Sequence, residues 1–576
     1  MTPFLITDCG STVTKALLIG GEAPAAARLL GAGEAPTTVE APHADVTVGV
    51  LGAIAALEDA AGLRLRTPDG TRPDPRAARY LSTSSAGGGL QMLVAGVVPA
   101  LSAGSAERAA LAAGAIVQAA FSVADGLRPH ERIAALRRLR PDIVLLAGGT
   151  DGGTIAHVAE LAEVLAAAAP EPRLGRDAPL PVVYAGNAAA WPAVAAALRA
   201  GGKCLPRRVA NVRPTLDQED LAPARDAIHE LFMEHVMARA PGYDRLVSWV
   251  SAPVLPTPSA AGITVAAAAA RLGAGVLAVD IGGATTDVFS AAPGQGFRRS
   301  VSANLGMSYS AAAVLARAGA AAIARWLPEA LAEAALADRI GNKMIRPTTV
   351  PATPGDLLLE QALAREALRL AWRHHAALGP GPPAAGLAAR LFGRPPAAAG
   401  APPALLIGSG GVLSHAPRPG QAALMLLDGL TPGGIVALAL DRVFMLPHLG
   451  VLRTVAPEAA DAVLWGPCLL PLCTAVVPAW RAPRLSARLR LPGGVLRLQV
   501  PAGTLRVIPL PAGATAAAEL APSAGADLGA GPGRGVTARL AGGELGLLFD
   551  CRGRPLPGPA APAQAREWLA AAGALP

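Results

Sequence analysis

The sequence predicts an α/β fold made of two related lobes and a small β-rich C-terminal domain. Three observations lead to this prediction. A strand–turn–strand pattern occurs twice, and its two aspartates, Asp8 and Asp280, lie 272 positions apart. Short apolar runs that end in glycine alternate with helical patterns, which is typical of α/β layers. After about residue 457 the helical patterns give way to short strands between Gly/Pro turns.

The repeat predicts two β-hairpins. In each copy an apolar run ends in aspartate and leads through a glycine-containing turn into a second apolar run. Asp, Gly and Thr fall at matching places in the two copies, which favours two lobes of related structure. The predicted strands are 4–8 and 16–19 in the first copy and 276–280 and 288–290 in the second.

The remaining elements follow from hydrophobic periodicity. Further strand–glycine units are predicted at 143–147, 182–185 and 405–407. Helical patterns cover 105–121, 155–169, 188–200, 218–239, 308–326 and 356–377. The Pro/Gly/Ala-rich stretch 379–403 is predicted to be an insertion. C-terminal strands are predicted at 487–491, 495–500, 504–509 and 537–540, before a short helix over 562–572. These elements give three domains, 1–260, 261–456 and 457–576.

The composition argues against a disordered chain and gives little support to nucleic-acid binding. Only 16% of the 576 residues are charged, whereas about 25% is usual, and alanine accounts for much of the apolar excess. The net charge of +8 comes almost entirely from arginine, because lysine occurs only at Lys15, Lys203 and Lys343. RNA-binding aromatic motifs, zinc-finger spacings and Lys/Arg blocks are absent from the sequence. We therefore expect no nucleic-acid partner.

Other sequence features favour a protein of the cytoplasm. The segment 462–480 carries no charge, but Pro467, Pro471 and Pro478 would break a membrane helix repeatedly. We therefore predict buried strand and turn there and no membrane span. Five cysteines are too few for a disulfide framework and are expected to be buried thiols. The N-terminus lacks the basic start of a signal peptide.

The hairpin turns carry residues that suit the phosphates of a nucleotide. A glycine turn lets backbone N–H groups approach phosphate oxygens, and hydroxyls of Ser11, Thr12 and Thr285 add donors. Asp8 and Asp280 can hold Mg²⁺ through its waters, and Mg²⁺ would bridge the phosphates. The sequence therefore predicts a nucleotide clamp with one metal ion, whereas an ordinary tight turn is the alternative for either hairpin taken alone.

A third glycine turn, Gly408-Ser409-Gly410-Gly411, follows a later strand. We predict that it packs under an adenosine, where side chains would clash, and a plain strand-to-helix turn is the alternative. The Walker A pattern is absent, and the N-terminal hairpin has no GxGxxG. These absences argue against a P-loop or dinucleotide enzyme. Lys15, retained in an arginine-rich chain, is predicted beside the phosphates, with an exposed strand residue as the alternative.

These motifs resemble the superfamily of actin, sugar kinases and heat-shock chaperone ATPases. More narrowly, their order is similar to that of the glutamate (methylaspartate) mutase accessory family of MutL/GlmL type, over nearly the whole chain. The motifs that carry the resemblance are LITDCGSTVTKALL, STSSAGGGLQMLVAGVVP, LLAGGTDGG, VVYAGN, DIGGATTDVFS, LIGSGGVL, VPAGTLRVIPLPAG and LGLLFDCRGRPL.

The resemblance implies a two-lobed actin-like ATPase fold with ATP and Mg²⁺ in its cleft. Asp8 and Asp280 would organise the metal, and Asp287 would assist the metal or the attacking water, with Asp151 a second candidate base. The residues implied to line the phosphates are Gly10, Ser11, Thr12, Gly282, Gly283 and Thr285, and those implied to meet the adenosine are Gly408, Gly410 and Gly411. The implied function is ATP-dependent reactivation of an adenosylcobalamin-dependent mutase, notably methylaspartate mutase.

Two other functions remain open at this point. One is a small-molecule kinase of the same fold, and the other is a non-hydrolysing subunit that stabilises a mutase. The pair His374-His375 is predicted to lie at a helix end and not to bind metal or cobalamin. The sequence has no Asp-x-His-x-x-Gly signature, so the chain is not expected to hold cobalamin itself.

Overall fold

A computed structural model describes residues 2–10, 13–39, 42–85, 90–173, 178–236, 241–294, 297–302, 304–378 and 402–575. The described chain divides into two compact units. Unit 1 contains 2–264 and 447–464, and unit 2 contains 265–377, 402–446 and 465–575. Ser11, Thr12 and most of the predicted insertion, 379–401, lie outside the described residues. The three predicted domain ranges stay predictions.

Unit 1 contains two five-stranded sheets. Its strands are β1 (Phe4–Cys9), β2 (Val13–Gly20), β3 (Arg28–Pro36), β4 (Arg79–Ser84), β5 (Gln91–Gly96), β6 (Ile116–Ser122), β7 (Ile143–Ala147), β8 (Leu180–Tyr184), β9 (Cys204–Arg208) and β10 (Leu255–Pro256). The first sheet has the order β10-β4-β1-β2-β3 and contains the N-terminal hairpin. The second has the order β6-β5-β7-β8-β9, and all its neighbours are parallel.

Unit 2 contains an eight-stranded sheet and a separate four-stranded antiparallel sheet. Its strands are β11 (Val276–Ile281), β12 (Thr286–Ala291), β13 (Phe297–Ser302), β14 (Leu405–Ser409), β15 (Gly434–Asp441), β16 (Leu469–Val477), β17 (Leu485–Leu491), β18 (Gly494–Val500), β19 (Leu505–Ile508), β20 (Thr515–Pro522), β21 (Val536–Ala541) and β22 (Gly546–Asp550). The orders are β13-β12-β11-β14-β15-β16-β22-β19 and β18-β17-β20-β21. The predicted β-rich C-terminal part is confirmed, and three of its strands extend the larger sheet.

Helices pack against the sheets of both units. The α-helices of the described chain are Val46–Ala61, Gly104–Ala112, Pro129–Leu139, Ala156–Ala168, Trp191–Ala200, Ala222–Leu231, Tyr243–Trp249, Thr257–Leu272, Ala311–Ala318, Ala320–Ala324, Glu333–Ile345, Pro354–Ala377, Gly411–Ser414, Pro419–Leu430, Leu446–Arg453, Pro457–Val463 and Pro562–Ala571. Short 3-10 or π-helical turns are Pro24–Ala26, Pro99–Ala103, Ala188–Ala190, Phe232–Val236 and Leu464–Cys468.

The predicted repeat extends well beyond the two hairpins. In unit 1 the order β3-β2-β1-β4-β10 has two antiparallel pairings followed by two parallel ones. In unit 2 the order β13-β12-β11-β14-β15 has the same four pairings in the same sequence. All six residues of β1 are buried, as expected for a central strand covered on both faces. The predicted α/β class with duplicated hairpin sheets is confirmed.

The predicted helix over 105–121 is wrong in its second half. The helix Gly104–Ala112 ends before Gly114, whose φ of 91° is one that side chains rarely adopt. Ile116–Ser122 then forms β6 beside β5. The many alanines of this stretch favour helix, so the change from a helical to a strand periodicity is not visible in the sequence. The β-branched and aromatic residues of β6 suit a strand.

The uncharged segment 462–480 contains the predicted buried strand, because Leu469–Val477 forms β16 in the larger sheet of unit 2. Within the described residues, none of the helices has the length and apolarity needed to cross a membrane. All five cysteines are buried and unpaired with one another, as predicted. Burial beside Asp8 raises the pKa of the Cys9 thiol to about 12, so this thiol stays protonated and unreactive.

His374 and His375 lie in the last turn of the helix Pro354–Ala377, as predicted. The imidazole of His375 is 1% exposed and lies between two hydroxyls, 2.8 Å from Ser290 Oγ and 2.9 Å from Ser300 Oγ. Burial, reinforced by the positive charge of Arg298, lowers the pKa of His375 to about 3. The ring is therefore neutral at physiological pH, so it makes no favourable charge interaction with the helix end.

We expect the free energy of unfolding to fall as the pH drops from about 6.5 towards 3, because unfolded His375 takes up a proton near its ordinary pKa while the folded form does not. The stabilising contribution of neutral, buried His375 is fully present above the pKa of the unfolded residue, and it is lost as the pH falls below that pKa. H375Q should be less stable than the wild type at neutral pH but less sensitive to acid. Thermal unfolding at several pH values tests this, with H157Q at an exposed position as control. Equal pH dependence of H375Q and wild type would contradict it.

Candidate functional site

The turns of the two hairpins are closed by the same hydrogen bond. In unit 1 the amide of Gly10 donates to the carbonyl of Val13 at 3.1 Å, and in unit 2 the amide of Gly282 donates to the carbonyl of Thr285 at 2.9 Å. A Cβ on Gly10 would lie 2.6 Å from the Val13 oxygen, so a side chain there would force the turn open. The sequence repeat therefore reflects a repeated backbone structure.

Asp8 lies at the meeting point of three elements of unit 1. Its carboxylate is 2% exposed, and its Oδ1 accepts hydrogen bonds from Thr83 Oγ1 at 2.7 Å and from Thr257. Thr83 is the register partner of Asp8 on the parallel strand β4, and Thr257 begins the helix Thr257–Leu272. On the other side, Lys15 is the register partner on β2. The two hydroxyls fix the orientation of this carboxylate.

Asp280 occupies the equivalent position in unit 2. Its register partner on β12 is Asp287, and its partner on the parallel strand β14 is Ser409. Residues directly opposite each other on an antiparallel pair share a face, so two carboxylates lie side by side at this hairpin. The hydroxyl of Ser409 is buried and makes no hydrogen bond among the described residues. A buried hydroxyl without a partner is costly and suggests a site built for a ligand.

Three residues of these sites were not predicted from the sequence: Thr83, Thr257 and Ser409 as the partner of Asp280. Thr83 and Ser409 are equivalent, because each lies on the parallel strand next to the first strand of its hairpin, in register with the aspartate. Thr83 lies in the motif STSSAGGG. Its pairing with Asp8 across 75 positions is not visible in local sequence.

A second segment of unit 2 supports the turn at Gly282-Gly283. The amides of Met307 and Ser308 donate to the carbonyls of Gly282 and Gly283, both at 2.9 Å. A Cβ on Gly306 would lie 2.4 Å from the Gly283 oxygen, so this close contact requires glycine. Met307 also lines a cavity of about 660 Å³ with Arg339, Lys343 and Glu360 among its walls, a volume within the usual range of ligand pockets.

The glycines of the third turn have different environments. A Cβ on Gly408 would lie 3.0–3.2 Å from three leucine side chains of the core. Gly410 has a φ of 99°, and a Cβ there would lie 2.2 Å from the carbonyl oxygen of Ile281, next to Asp280. Around Gly411 no atom lies within 4 Å of a Cβ. The turn therefore holds its backbone against the first strand of the second hairpin.

Asp287 is bound by an arginine. Arg299 is 2% exposed at its side chain, and its Nε donates to Asp287 Oδ1 at 2.7 Å. Burial raises the pKa of Asp287, although Arg299 opposes this shift. The structure places the other candidate base, Asp151, elsewhere, after β7 in the second sheet of unit 1. There its carboxylate accepts hydrogen bonds from the Ala188 amide and from Asn211 Nδ2.

Comparison with known proteins identifies the family. A family model described as MutL protein matches residues 4–466, which is most of the chain. The chain belongs to the MutL family. Its relative Protein MutL of Clostridium tetanomorphum is 29% identical over 495 residues, covering 81% of this chain and 98% of the relative.

Three solved structures are distantly similar to this MutL-family chain. Nucleotide-free acetone carboxylase has a TM-score of 0.32 at 12% identity and covers 87% of this chain and 81% of its own. Component A of (R)-2-hydroxyglutaryl-CoA dehydratase from Acidaminococcus fermentans scores 0.25 at 8% identity, covering 80% and 99%. Glycerol dehydratase reactivase scores 0.27 at 10% identity, covering 75% and 96%. These scores are too low to establish a common activity.

Proposed function

We propose that this chain is an ATP-dependent accessory protein that reactivates an adenosylcobalamin-dependent mutase of the methylaspartate (glutamate) mutase type. Membership of the MutL family supports the choice of partner. The observation that carries the proposal is the duplicated sheet, in which Asp8 and Asp280 stand at equivalent positions beside glycine turns closed by the same hydrogen bond. Each such turn suits phosphate oxygens.

ATP is the proposed ligand of both hairpins. Backbone N–H groups of glycine turns bind phosphate oxygens well, since no side chain keeps the phosphates away. The residues proposed for the phosphates are Gly10, Ser11, Thr12, Lys15, Gly282, Gly283 and Thr285, and those proposed for the adenosine are Gly408, Gly410 and Gly411. The tight packing of Gly410 on Ile281 would bring that turn close to Asp280.

The residues around both aspartates fit Mg²⁺. Magnesium prefers oxygen ligands, keeps several waters and is usually bound through one or two carboxylates together with substrate phosphates. Asp8 with Thr83 and Asp280 with Ser409 offer such oxygens. A cluster of three or more His, Cys, Asp or Glu side chains is absent from the described residues, which agrees with an ion held largely by the nucleotide. Bound Mg²⁺ would neutralise phosphate charge.

Asp287 is the proposed group that orients the attacking water. A carboxylate whose pKa is raised by burial accepts a proton more readily at neutral pH than an ordinary one. Arg299 would hold it in place and supply a compensating charge. Hydrolysis would then shift the chain between two conformations that bind the partner with different affinity, and this difference would convert hydrolysis into cofactor exchange.

The test uses mutase that has been inactivated by a damaged cobalamin. Wild-type chain with Mg²⁺ and ATP should restore mutase activity when fresh adenosylcobalamin is supplied. D8A should restore little, whereas D59A, at an exposed position, should behave like wild type. Equal recovery with D8A and wild type would contradict the ATP-driven proposal. Recovery without ADP formation would indicate a non-hydrolysing subunit, and phosphate transfer to a small molecule without mutase would indicate a kinase.

A further inference from the structure

The four-stranded sheet of unit 2 has one buried and one exposed face. Leu485, Leu489, Leu498 and Leu540 point to the buried side, where they join a hydrophobic cluster. The alternate residues lie on the other face, as the period of two in a strand requires. Four arginines lie on that outer side, and we call it the arginine face. They are Arg488, Arg490, Arg497 and Arg539.

Register shows how closely these arginines are grouped. Arg488 on β17 lies directly opposite Arg497 on β18, and Arg490 and Arg539 are both opposite Ala517 on β20. Like charges directly opposite each other on an antiparallel pair are destabilising. A sheet face shaped for stability alone would favour opposite charges at these positions. The Arg488–Arg497 pair therefore points to a role in binding.

The compensating charge on this face is small. Glu519 lies 3.6 Å from Arg488 and 3.5 Å from Arg490. Arg539 donates from Nε to the hydroxyl of Thr515. The outward side chains of the four strands thus carry four positive charges against one negative charge. Exposed ion pairs of this kind add little to stability, so the excess of guanidinium groups remains available to a partner.

The arginine face also has a suitable shape. It forms an open groove of about 600 Å³, lined by Ser486, Arg488, Arg497, Gln499, Glu519 and Thr537 among others. A guanidinium has a planar fork of donors that matches a carboxylate in a bidentate way. Serine, glutamine and threonine add neutral hydrogen-bonding groups beside the forks. The groove is thus suited to several carboxylates presented together.

We propose that the arginine face is a docking surface for the acidic surface of a partner protein. An acidic protein fits this face, because its surface presents several carboxylates together and each guanidinium fork can bind one in a bidentate way. A single-stranded nucleic acid fits less well, since none of the strands β17, β18, β20 and β21 contains an aromatic residue on which bases could stack. The proposal does not depend on the use of ATP, since these residues are not among those assigned to the nucleotide.

The test measures binding of the full chain to labelled poly-L-glutamate by fluorescence anisotropy at several salt concentrations. R488E/R497E should weaken binding by roughly 10-fold or more and flatten the salt dependence. R490E/R539E provides a second reversal at more exposed positions. R72E/R138E, which makes the same charge change at exposed positions of unit 1, should bind like the wild type. Unchanged thermal unfolding shows that the variants are folded.

Three results would overturn the proposal. The first is equal binding by the wild type and both reversals, and the second is an equal loss in R72E/R138E, which would reflect net charge alone. The third is tighter binding of duplex DNA than of poly-L-glutamate, with the DNA binding lost in R488E/R497E, which would assign the face to nucleic acid. R488K/R497K keeps the charge but loses the planar fork of donors, so it should bind more weakly than the wild type and more tightly than R488E/R497E.

Discussion

Replacing Asp280 with asparagine is expected to lower the rate of ATP hydrolysis by about 100-fold or more. A factor of 100 corresponds to about 2.7 kcal/mol of transition-state stabilisation, and the loss of one preorganised electrostatic contact has this size. Asparagine keeps the shape of the side chain but removes the charge proposed to organise Mg²⁺. Steady-state release of ADP at saturating Mg²⁺ and ATP measures the effect, with D338N at an exposed position of the same unit as control.

The same variant separates a role in turnover from a role in folding. Asp280 faces Asp287 across the hairpin, so D280N removes one of two neighbouring negative charges and should not reduce stability. D287N should behave differently, because it leaves Arg299, 2% exposed at its side chain, without its carboxylate partner. We therefore expect D287N to lose both turnover and stability. Turnover of D280N close to that of D338N would contradict the proposed role of Asp280.

Local sequence was enough to predict the hairpins. Each consists of two apolar runs joined by a turn that needs glycine, and both signals lie within one short stretch of sequence, 4–20 or 276–291, where turn chemistry decides the structure. The strand β6 could not be predicted in this way. It follows an alanine-rich helix, and its stability comes from parallel pairing with β5, a neighbour more than twenty positions earlier. Tertiary pairing of this kind overrides local propensity.

The partners of Asp8 could not be predicted for the same reason. Thr83 and Thr257 reach its carboxylate from positions 75 and 249 residues away. Periodicity and turn signals carry no information about such contacts. The buried ion pairs that Arg365 and Arg552 form in unit 2 could not be predicted either, because their members are single Asp and Arg residues without a recognisable spacing. The motif LFDCRGRPL contains Arg552, but nothing in its local pattern indicates the distant partner of this arginine.

A network of buried charges connects three elements of unit 2. Arg552 donates to Asp550 Oδ1 through Nε at 2.9 Å and to Asp428 Oδ1 through NH2 at 2.7 Å. Arg365, on the helix Pro354–Ala377, donates to the second oxygen of Asp428 at 2.8 Å. These four side chains are all 3% exposed or less. Arg552 and Arg554 hold the pKa of Asp550 well below its ordinary value despite burial, so the carboxylate is ionised.

Replacing Arg552 with methionine is therefore expected to lower the free energy of unfolding by about 3–5 kcal/mol. Methionine keeps much of the side-chain volume but loses the guanidinium, which lies 4.9 Å from the centre of the Trp568 ring. It leaves Asp428 and Asp550 buried with fewer donors, and uncompensated buried charge is what makes the loss large. Chemical denaturation of the full chain measures the change in the free energy of unfolding, with R484M at an exposed position as control.

The size of the loss should depend on the carboxylates and not on the arginine itself. If so, D428N/R552M should be less destabilised than the sum of its two single variants, because each charge is costly mainly when its partner is missing. The energetic coupling between Arg554 and Asp550 should be weaker. Arg554 also donates to the carbonyls of Pro432 and Gly553, and it keeps those bonds when Asp550 is neutralised. Additive effects of D428N and R552M would show that packing around Trp568, and not charge compensation, holds these elements together.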